Sequence, residues 1–92
     1  MTRRFIVYTK YEMRFVWDDP KRLSNQAKHE LDFADIEIGF DWASASITPM
    51  KDGRFKAVGK MNDKNVVVIF APLGGEALSI ISLRPASRKE RR

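Results

Sequence analysis

Lys28 and His29 stand side by side in a polar segment, and His29 is the only histidine in the chain. An imidazole can accept and donate protons near neutral pH, and an ammonium group can stabilise developing negative charge. The pair could therefore support acid–base chemistry on an anionic substrate. It could equally be the solvated face of a short helix, since charged helix faces are common.

Further cationic groups could extend such a site towards a polyanion. Arginine is suited to bidentate contact with phosphate oxygens. RNA carries its own nucleophile, the 2′-hydroxyl, so a protein that cleaves it need only orient that group, move protons and stabilise the charge on phosphorus. The basic and polar residues that could contribute are Lys21, Asn25, Lys28, His29, Lys56, Lys60, Arg84, Arg88, Lys89 and Arg91.

Other kinds of site have little support in the residues. The chain has no cysteine and one histidine, and it contains neither an H-E-x-x-H nor an EF-hand pattern, so we predict no metal site and no cofactor. Gly74 and Gly75 lack the context of a phosphate-binding loop and predict a hairpin turn. No G-x-S-x-G motif is present to indicate a serine nucleophile.

The positive charge lies at the two ends of the chain. Residues 1–14 carry four basic residues and one acidic residue, and residues 84–92 carry five basic and one acidic, whereas the middle is slightly acidic. Basic ends suit RNA, DNA or an acidic partner, because attraction to a polyanion is long-ranged. They could also serve only to keep a small protein soluble.

The elements that would position these residues follow from periodicity and turn residues. Residues 15–19 predict a strand, and Pro20 favours the first turn of a helix over 21–30, with Asp18 or Asp19 as its cap. Leu23 and Ala27 would form the buried stripe of this helix, opposite Lys21, Asn25 and Lys28. A second short helix is predicted after Asp32, followed by strands at 44–49, 54–61, 65–72 and 77–84.

This order of elements predicts an α+β domain. Two N-terminal helices would pack on a four- to five-stranded antiparallel sheet, with a possible short C-terminal helix. Residues 13–92 would form this domain, and residues 1–12 would be an N-terminal extension or add an edge strand. No apolar run approaches the roughly 20 residues that span a bilayer, and we expect a cytoplasmic protein without a membrane partner.

Two separated motifs resemble those of BrnT-type toxins. The segments that carry the resemblance are F-V-W-D (15–18), Lys21, S-N (24–25), K-H (28–29) and Phe33 in the first half, then Arg54, A-V-G (57–59) and I-I-S-L-R-P-A-S-R-K-E-R (80–91) in the second. The match runs through residues 13–92 in order. This chain has Glu30 where the family often has Gly after its K-H pair.

The resemblance implies a ribonuclease toxin of a type II toxin–antitoxin module with a RelE-like fold. The expected partner is a BrnA-type antitoxin with a ribbon-helix-helix segment. It would form a 2:2 complex with the toxin and bring it to operator DNA. RNA cleavage would inhibit translation.

We therefore hypothesise a metal-independent endoribonuclease. His29 would transfer protons, Lys28 and Arg84 would stabilise charge at the scissile phosphate, and Arg88 would help to hold RNA. The residues expected to bind RNA are Lys21, Asn25, Lys56, Lys60, Lys89 and Arg91. Two alternatives remain at this point: a nucleic-acid-binding module without enzymatic activity, and an interaction domain whose basic surface docks an acidic partner.

Overall fold

The structure is a computed structural model that describes residues 3–8 and 13–91, with side chains from residue 14 onward. The elements in chain order are β1 (Arg3–Tyr8), β2 (Met13–Asp18), α1 (Asp19–His29), α2 (Asp35–Gly39), β3 (Ser46–Pro49), β4 (Phe55–Met61), β5 (Lys64–Leu73) and β6 (Ala77–Pro85), with a single 3-10 turn (Lys51–Gly53) before β4. The predicted α+β class and its two N-terminal helices are confirmed. Neither described helix has the length and apolarity needed to cross a membrane.

Within the described residues, the sheet has six strands in the order β1-β2-β6-β5-β4-β3. The meander from β3 to β6 is antiparallel, as predicted. The prediction of a wholly antiparallel sheet of four or five strands is wrong, because β2 pairs with β6 in parallel. The connection between these two strands includes both helices and the meander, and such a long crossover can bring parallel strands together.

The N-terminal residues contribute the sixth strand. Strand β1 pairs with β2 in an antiparallel register from Arg3 opposite Asp18 to Tyr8 opposite Met13. This agrees with the edge strand that the sequence allowed. The division of the chain at residue 12 stays a prediction, and residues 1, 2, 9–12 and 92 lie outside the described part.

The core lies between the helices and one face of the sheet. Phe33, Ile36 and Phe40 are buried there. The continuous apolar run of β5, Val66 to Phe70, is buried on both faces, as expected of a central strand. Aromatic rings fill the region between the sheet and the segment after α2, where Trp42 packs against Phe40 and other rings.

Helix α1 packs differently from the prediction. Leu23 is 62% exposed and Ala27 is also exposed, whereas Asn25 is buried at 8% exposure. The predicted apolar stripe and polar outer face are therefore wrong at these positions. The physical reason is that α1 lies against a strand edge, whose backbone groups need hydrogen-bonding partners rather than an apolar stripe.

Two further differences from the prediction lie at the start of α1 and in the C-terminal residues. Asp18 is at the N-cap of α1 as predicted, but its side chain makes no capping hydrogen bond. The possible C-terminal helix is absent from the described residues: residues 88–91 form one turn, in which the Arg91 N–H donates to the Ser87 carbonyl.

Candidate active site

Asn25 attaches α1 to the edge of β6. Strand β2 covers that edge only at residues 77–79, so the backbone of Leu83 has no strand neighbour on this side. The Asn25 amide nitrogen donates to the Leu83 carbonyl at 2.8 Å, and the Leu83 N–H donates to the Asn25 amide oxygen at 3.2 Å. A third bond, 3.3 Å long, joins Asn25 to the Leu31 carbonyl. The side-chain amide thus takes the place of a pairing strand.

This attachment fixes the end of α1, where Lys28 and His29 form part of the last turn. The positive side chain of Lys28 interacts favourably there with the negative end of the helix dipole, which gives Lys28 a structural role as well as its predicted chemical one. The helix ends because Glu30 adopts a left-handed conformation, with φ of 59°. Its N–H donates to the Gln26 carbonyl at 2.8 Å.

A second contact holds the loop after α1. Arg22 binds the Asp32 carboxylate through two nitrogens, at 2.6 and 2.8 Å. Asp32 also accepts the N–H of Ala34 at 3.1 Å, and thereby turns the chain towards α2. The hydrogen bond to Asp32 raises the pKa of Arg22 above its ordinary value. Arg22 thus ties the first half of α1 to the loop that follows the helix.

Two grooves meet at His29. The first, which we call the helix groove, has a volume of about 200 Å³ and is lined by Lys21, Ser24, Lys28 and His29 of α1 and by Ser82 of β6. The second, the hairpin groove, has a volume of about 420 Å³ and runs from His29 past the β4–β5 turn to the C-terminal segment. Its charged lining residues are Glu30, Asp63, Lys64 and Arg91.

The groups around His29 suit chemistry on a phosphodiester. Cationic side chains line both grooves that share His29: Lys21 and Lys28 line the helix groove, and Lys64 and Arg91 line the hairpin groove together with the acidic Glu30 and Asp63. His29 is partly exposed and makes no hydrogen bond or ion pair with another described side chain. A proton-transfer group flanked by cations can move a proton while the cations stabilise an anionic transition state.

A separate cationic cluster lies on the other face of the sheet. Arg84 donates to both carboxylate oxygens of Glu90, at 2.8 and 2.9 Å, and Lys56 contacts the same carboxylate at 3.3 Å. The Ser87 N–H donates to Glu90 at 2.8 Å, and the Glu90 N–H donates to the Ser87 hydroxyl at 3.2 Å. Arg84 and the other donors hold the pKa of Glu90 well below its ordinary range.

This cluster borders a third groove, the sheet groove, with a volume of about 470 Å³. Strands β3 and β4 and the C-terminal turn contribute its walls, which include Ser46, Thr48, Lys56, Lys89 and Glu90. The paired Glu90 carboxylate also raises the pKa of Arg84 above its ordinary value. The sheet groove therefore carries cationic and hydroxyl groups, but Lys56 and the adjoining Arg84 already bind the Glu90 carboxylate.

The predicted site residues are thus divided between two surfaces. Lys21, Lys28, His29 and Arg91 line the connected helix and hairpin grooves, and Asn25 lies beneath them. Lys56, Lys89 and Arg84 belong to the sheet face. Arg88 and Lys60 are exposed and line neither surface in the described structure.

Sequence reasoning missed two residues. Lys64 lines the hairpin groove, and it directly follows the turn at Asn62 and Asp63. Glu90 was part of the C-terminal motif, but nothing in its spacing from Arg84 predicts an ion pair, because residues 86–91 form no regular element. No group of three or more histidine, cysteine or acidic residues in the described chain could hold a metal ion.

The comparisons with known proteins place the chain in a family. Residues 17–90 match the family model described as the ribonuclease toxin BrnT of type II toxin–antitoxin systems. The chain belongs to the BrnT family. A crystal structure of the Brucella abortus ribonuclease toxin BrnT is 49% identical, with a TM-score of 0.69, over 78% of this chain and 94% of that one. No curated protein sequence matches the chain.

Membership of the BrnT family confirms the resemblance drawn from the two motifs. It makes this chain a ribonuclease toxin, and a type II system implies a protein antitoxin as its partner. The matched residues include α1, the hairpin turn and the C-terminal segment as far as Glu90, so every lining residue of the three grooves except Arg91 lies within the match.

Proposed function

We propose that this BrnT-family protein is an endoribonuclease that cleaves RNA without a metal ion and thereby inhibits translation, with His29 as its proton-transfer group. The observation that carries the proposal is the position of His29 at the junction of the helix and hairpin grooves, each of which is lined by two cationic side chains. A single strand could follow the two grooves past the imidazole. Its phosphates would then contact Lys21, Lys28, Lys64 and Arg91.

The reaction would use the 2′-hydroxyl of RNA as nucleophile. This oxygen attacks the adjacent phosphorus, the bond from phosphorus to the 5′-oxygen breaks, and the products are a 2′,3′-cyclic phosphate and a free 5′-hydroxyl. His29 would accept the 2′-hydroxyl proton and then give a proton to the departing 5′-oxygen, so that the two proton transfers balance. Lys28 would stabilise the charge that develops on the phosphoryl oxygens.

The remaining candidate residues act at a distance from this junction. Arg84, Lys56 and Lys89 would contact RNA along the sheet groove, and Arg88 and Lys60 would add charge at the surface. Asn25 would act by positioning α1, because its amide is occupied by backbone groups.

The proposed function also includes an antitoxin partner of a specific type. We expect a BrnA-type partner with a ribbon-helix-helix segment, a 2:2 complex, and binding to operator DNA through the antitoxin alone. The type II classification of the family supports a protein partner. Purification of the toxin after coexpression with the neighbouring reading frame, followed by light scattering, would measure the stoichiometry.

The direct test of the activity is cleavage of RNA by purified protein in EDTA. We expect new 5′-hydroxyl ends that accumulate with time. RNA that stays intact at high protein concentration, together with salt-sensitive binding, would instead favour the nucleic-acid-binding module without enzymatic activity.

A further inference from the structure

Four donors on the sheet face converge on one carboxylate. Both terminal nitrogens of Arg84, the ammonium of Lys56 and the N–H of Ser87 all point at Glu90, at distances between 2.8 and 3.3 Å. The donors come from three different parts of the chain: β6, β4 and the C-terminal turn. A planar guanidinium, an ammonium and a backbone amide around a single anion form the kind of environment that binds a phosphate group.

The geometry leaves this environment partly accessible to solvent. The side chain of Glu90 is 15% exposed, and those of Arg84 and Lys56 are about one third exposed. The sheet groove adjoins the cluster and carries Thr48 and Lys89 beside it. An incoming anion could therefore reach the donors from the groove without unfolding the sheet.

Glu90 itself lies outside the sheet that holds Arg84 and Lys56. It lies in the turn of residues 88–91, which follows the last strand. A change in this turn would withdraw the carboxylate, while β4 and β6 would keep Lys56 and Arg84 in place.

We propose that the donors around Glu90 form a phosphate-binding pocket for RNA, and that the Glu90 carboxylate occupies this pocket until a phosphodiester displaces it. The pocket would bind a part of the strand away from the junction at His29. This inference rests on the proposed function, because it assumes that the polyanion is RNA. It makes Glu90 an internal competitor of the substrate.

The test compares Glu90→Gln with Glu76→Gln. Both variants remove one negative charge, but Glu76 lies elsewhere, with a side chain 75% exposed and in an ion pair with Arg14. The probe is a fluorescent RNA 12-mer of mixed sequence with 2′-O-methyl groups at every position. It keeps its phosphates and cannot be cleaved through the 2′-oxygen, so binding is measured separately from cleavage.

We expect Glu90→Gln to bind the probe about fivefold more tightly than Glu76→Gln, because only the former frees a bidentate arginine and a lysine. Arg84→Gln in the Glu90→Gln background should remove that gain. Equal or weaker binding by Glu90→Gln would overturn the proposal. A protein that binds the probe as expected but never cuts unmodified RNA would contradict only the proposed cleavage.

A measurement on the unaltered protein covers the case in which Glu90→Gln fails to fold. The Ser87 N–H donates to Glu90, so its NMR resonance should shift when a saturating amount of the probe displaces the carboxylate. An unchanged Ser87 resonance in protein that has bound the probe would show that Glu90 stays in place, and the proposal would be wrong.

Discussion

Asn25 shows how much the fold depends on one polar side chain. Its amide satisfies the N–H and the carbonyl of Leu83 as well as the carbonyl of Leu31. Periodicity placed it on the outer face, because a pattern of apolar spacing cannot reveal that a helix packs on the edge of a strand. The family motif S-N singles out Asn25, and the structure gives a physical reason for it.

Asn25→Ala should destabilise the protein by about 2–4 kcal/mol, because it leaves buried backbone groups without partners. The neighbouring Ser24→Ala is a matched control, since Ser24 is exposed, and we expect it to change stability by about 0.5 kcal/mol or less. Urea unfolding of the three proteins measures the difference. A loss below about 1 kcal/mol for Asn25→Ala would mean that the amide is not essential to the attachment.

Glu90 predicts a dependence of stability on pH. Its ordinary pKa of 4.5 is lowered in the folded protein, mainly by Arg84, so its ionised form is favoured by folding. The stabilisation is therefore complete above about pH 4.5 and is lost as the pH falls below that value. We expect the stability difference between the unaltered protein and Glu90→Gln to be largest at pH 7 and to shrink in more acidic solution. Urea unfolding at pH 7, 5 and 3 tests this, and a difference that grows towards pH 3 would contradict it.

At the scale of elements, the end of α1 is the most unusual feature. Glu30 has φ of 59°, in the left-handed region that favours glycine. The sequence showed that Glu30 stands where the family often has Gly. The left-handed conformation is the one that a glycine at this position commonly adopts.

Glu30→Gly should therefore stabilise the protein by about 0.5–1 kcal/mol, since it relieves the strain of a side chain at positive φ. Glu30→Ala keeps the β-carbon and serves as the control, with no comparable gain. Thermal unfolding would measure both. If the glycine and alanine variants had equal stability, backbone strain at Glu30 would be negligible.

The strands were predictable because tight turns separate them. Asn62 and Asp63 both have positive φ, as a two-residue hairpin turn between β4 and β5 requires, and asparagine and aspartate adopt this conformation more readily than most residues. The parallel pairing of β2 with β6 was not predictable in the same way. It depends on contacts between residues more than 60 positions apart, which no local pattern records.

At the scale of the whole molecule, the basic C-terminal end identified in the sequence contributes to surfaces on two sides of the sheet. Arg91 comes close to the groove that holds His29, whereas Arg84 turns to the opposite face and pairs with Glu90. Charge alone predicted a polyanion partner and could not assign residues to a common site. Adjacent residues of a strand point to opposite faces of the sheet. The buried side chain of Leu83 points towards α1, and the side chain of Arg84 therefore points away from it.

The central claim is that RNA is cleaved at the junction of the two grooves by His29. The most direct measurement is the initial rate of RNA cleavage in EDTA by the unaltered protein, His29→Gln, Lys28→Ala and Lys51→Ala. Lys51 is exposed in the 3-10 turn, lines none of the three grooves and serves as the matched control for Lys28. All four proteins should unfold at similar temperatures.

We expect His29→Gln to lower the rate by about 100-fold or more, because it removes the proton-transfer group. Lys28→Ala should lower it by at least about tenfold through lost charge stabilisation, and Lys51→Ala should leave it unchanged. A folded His29→Gln variant that cleaves RNA at the rate of the unaltered protein would contradict the assignment of the active site.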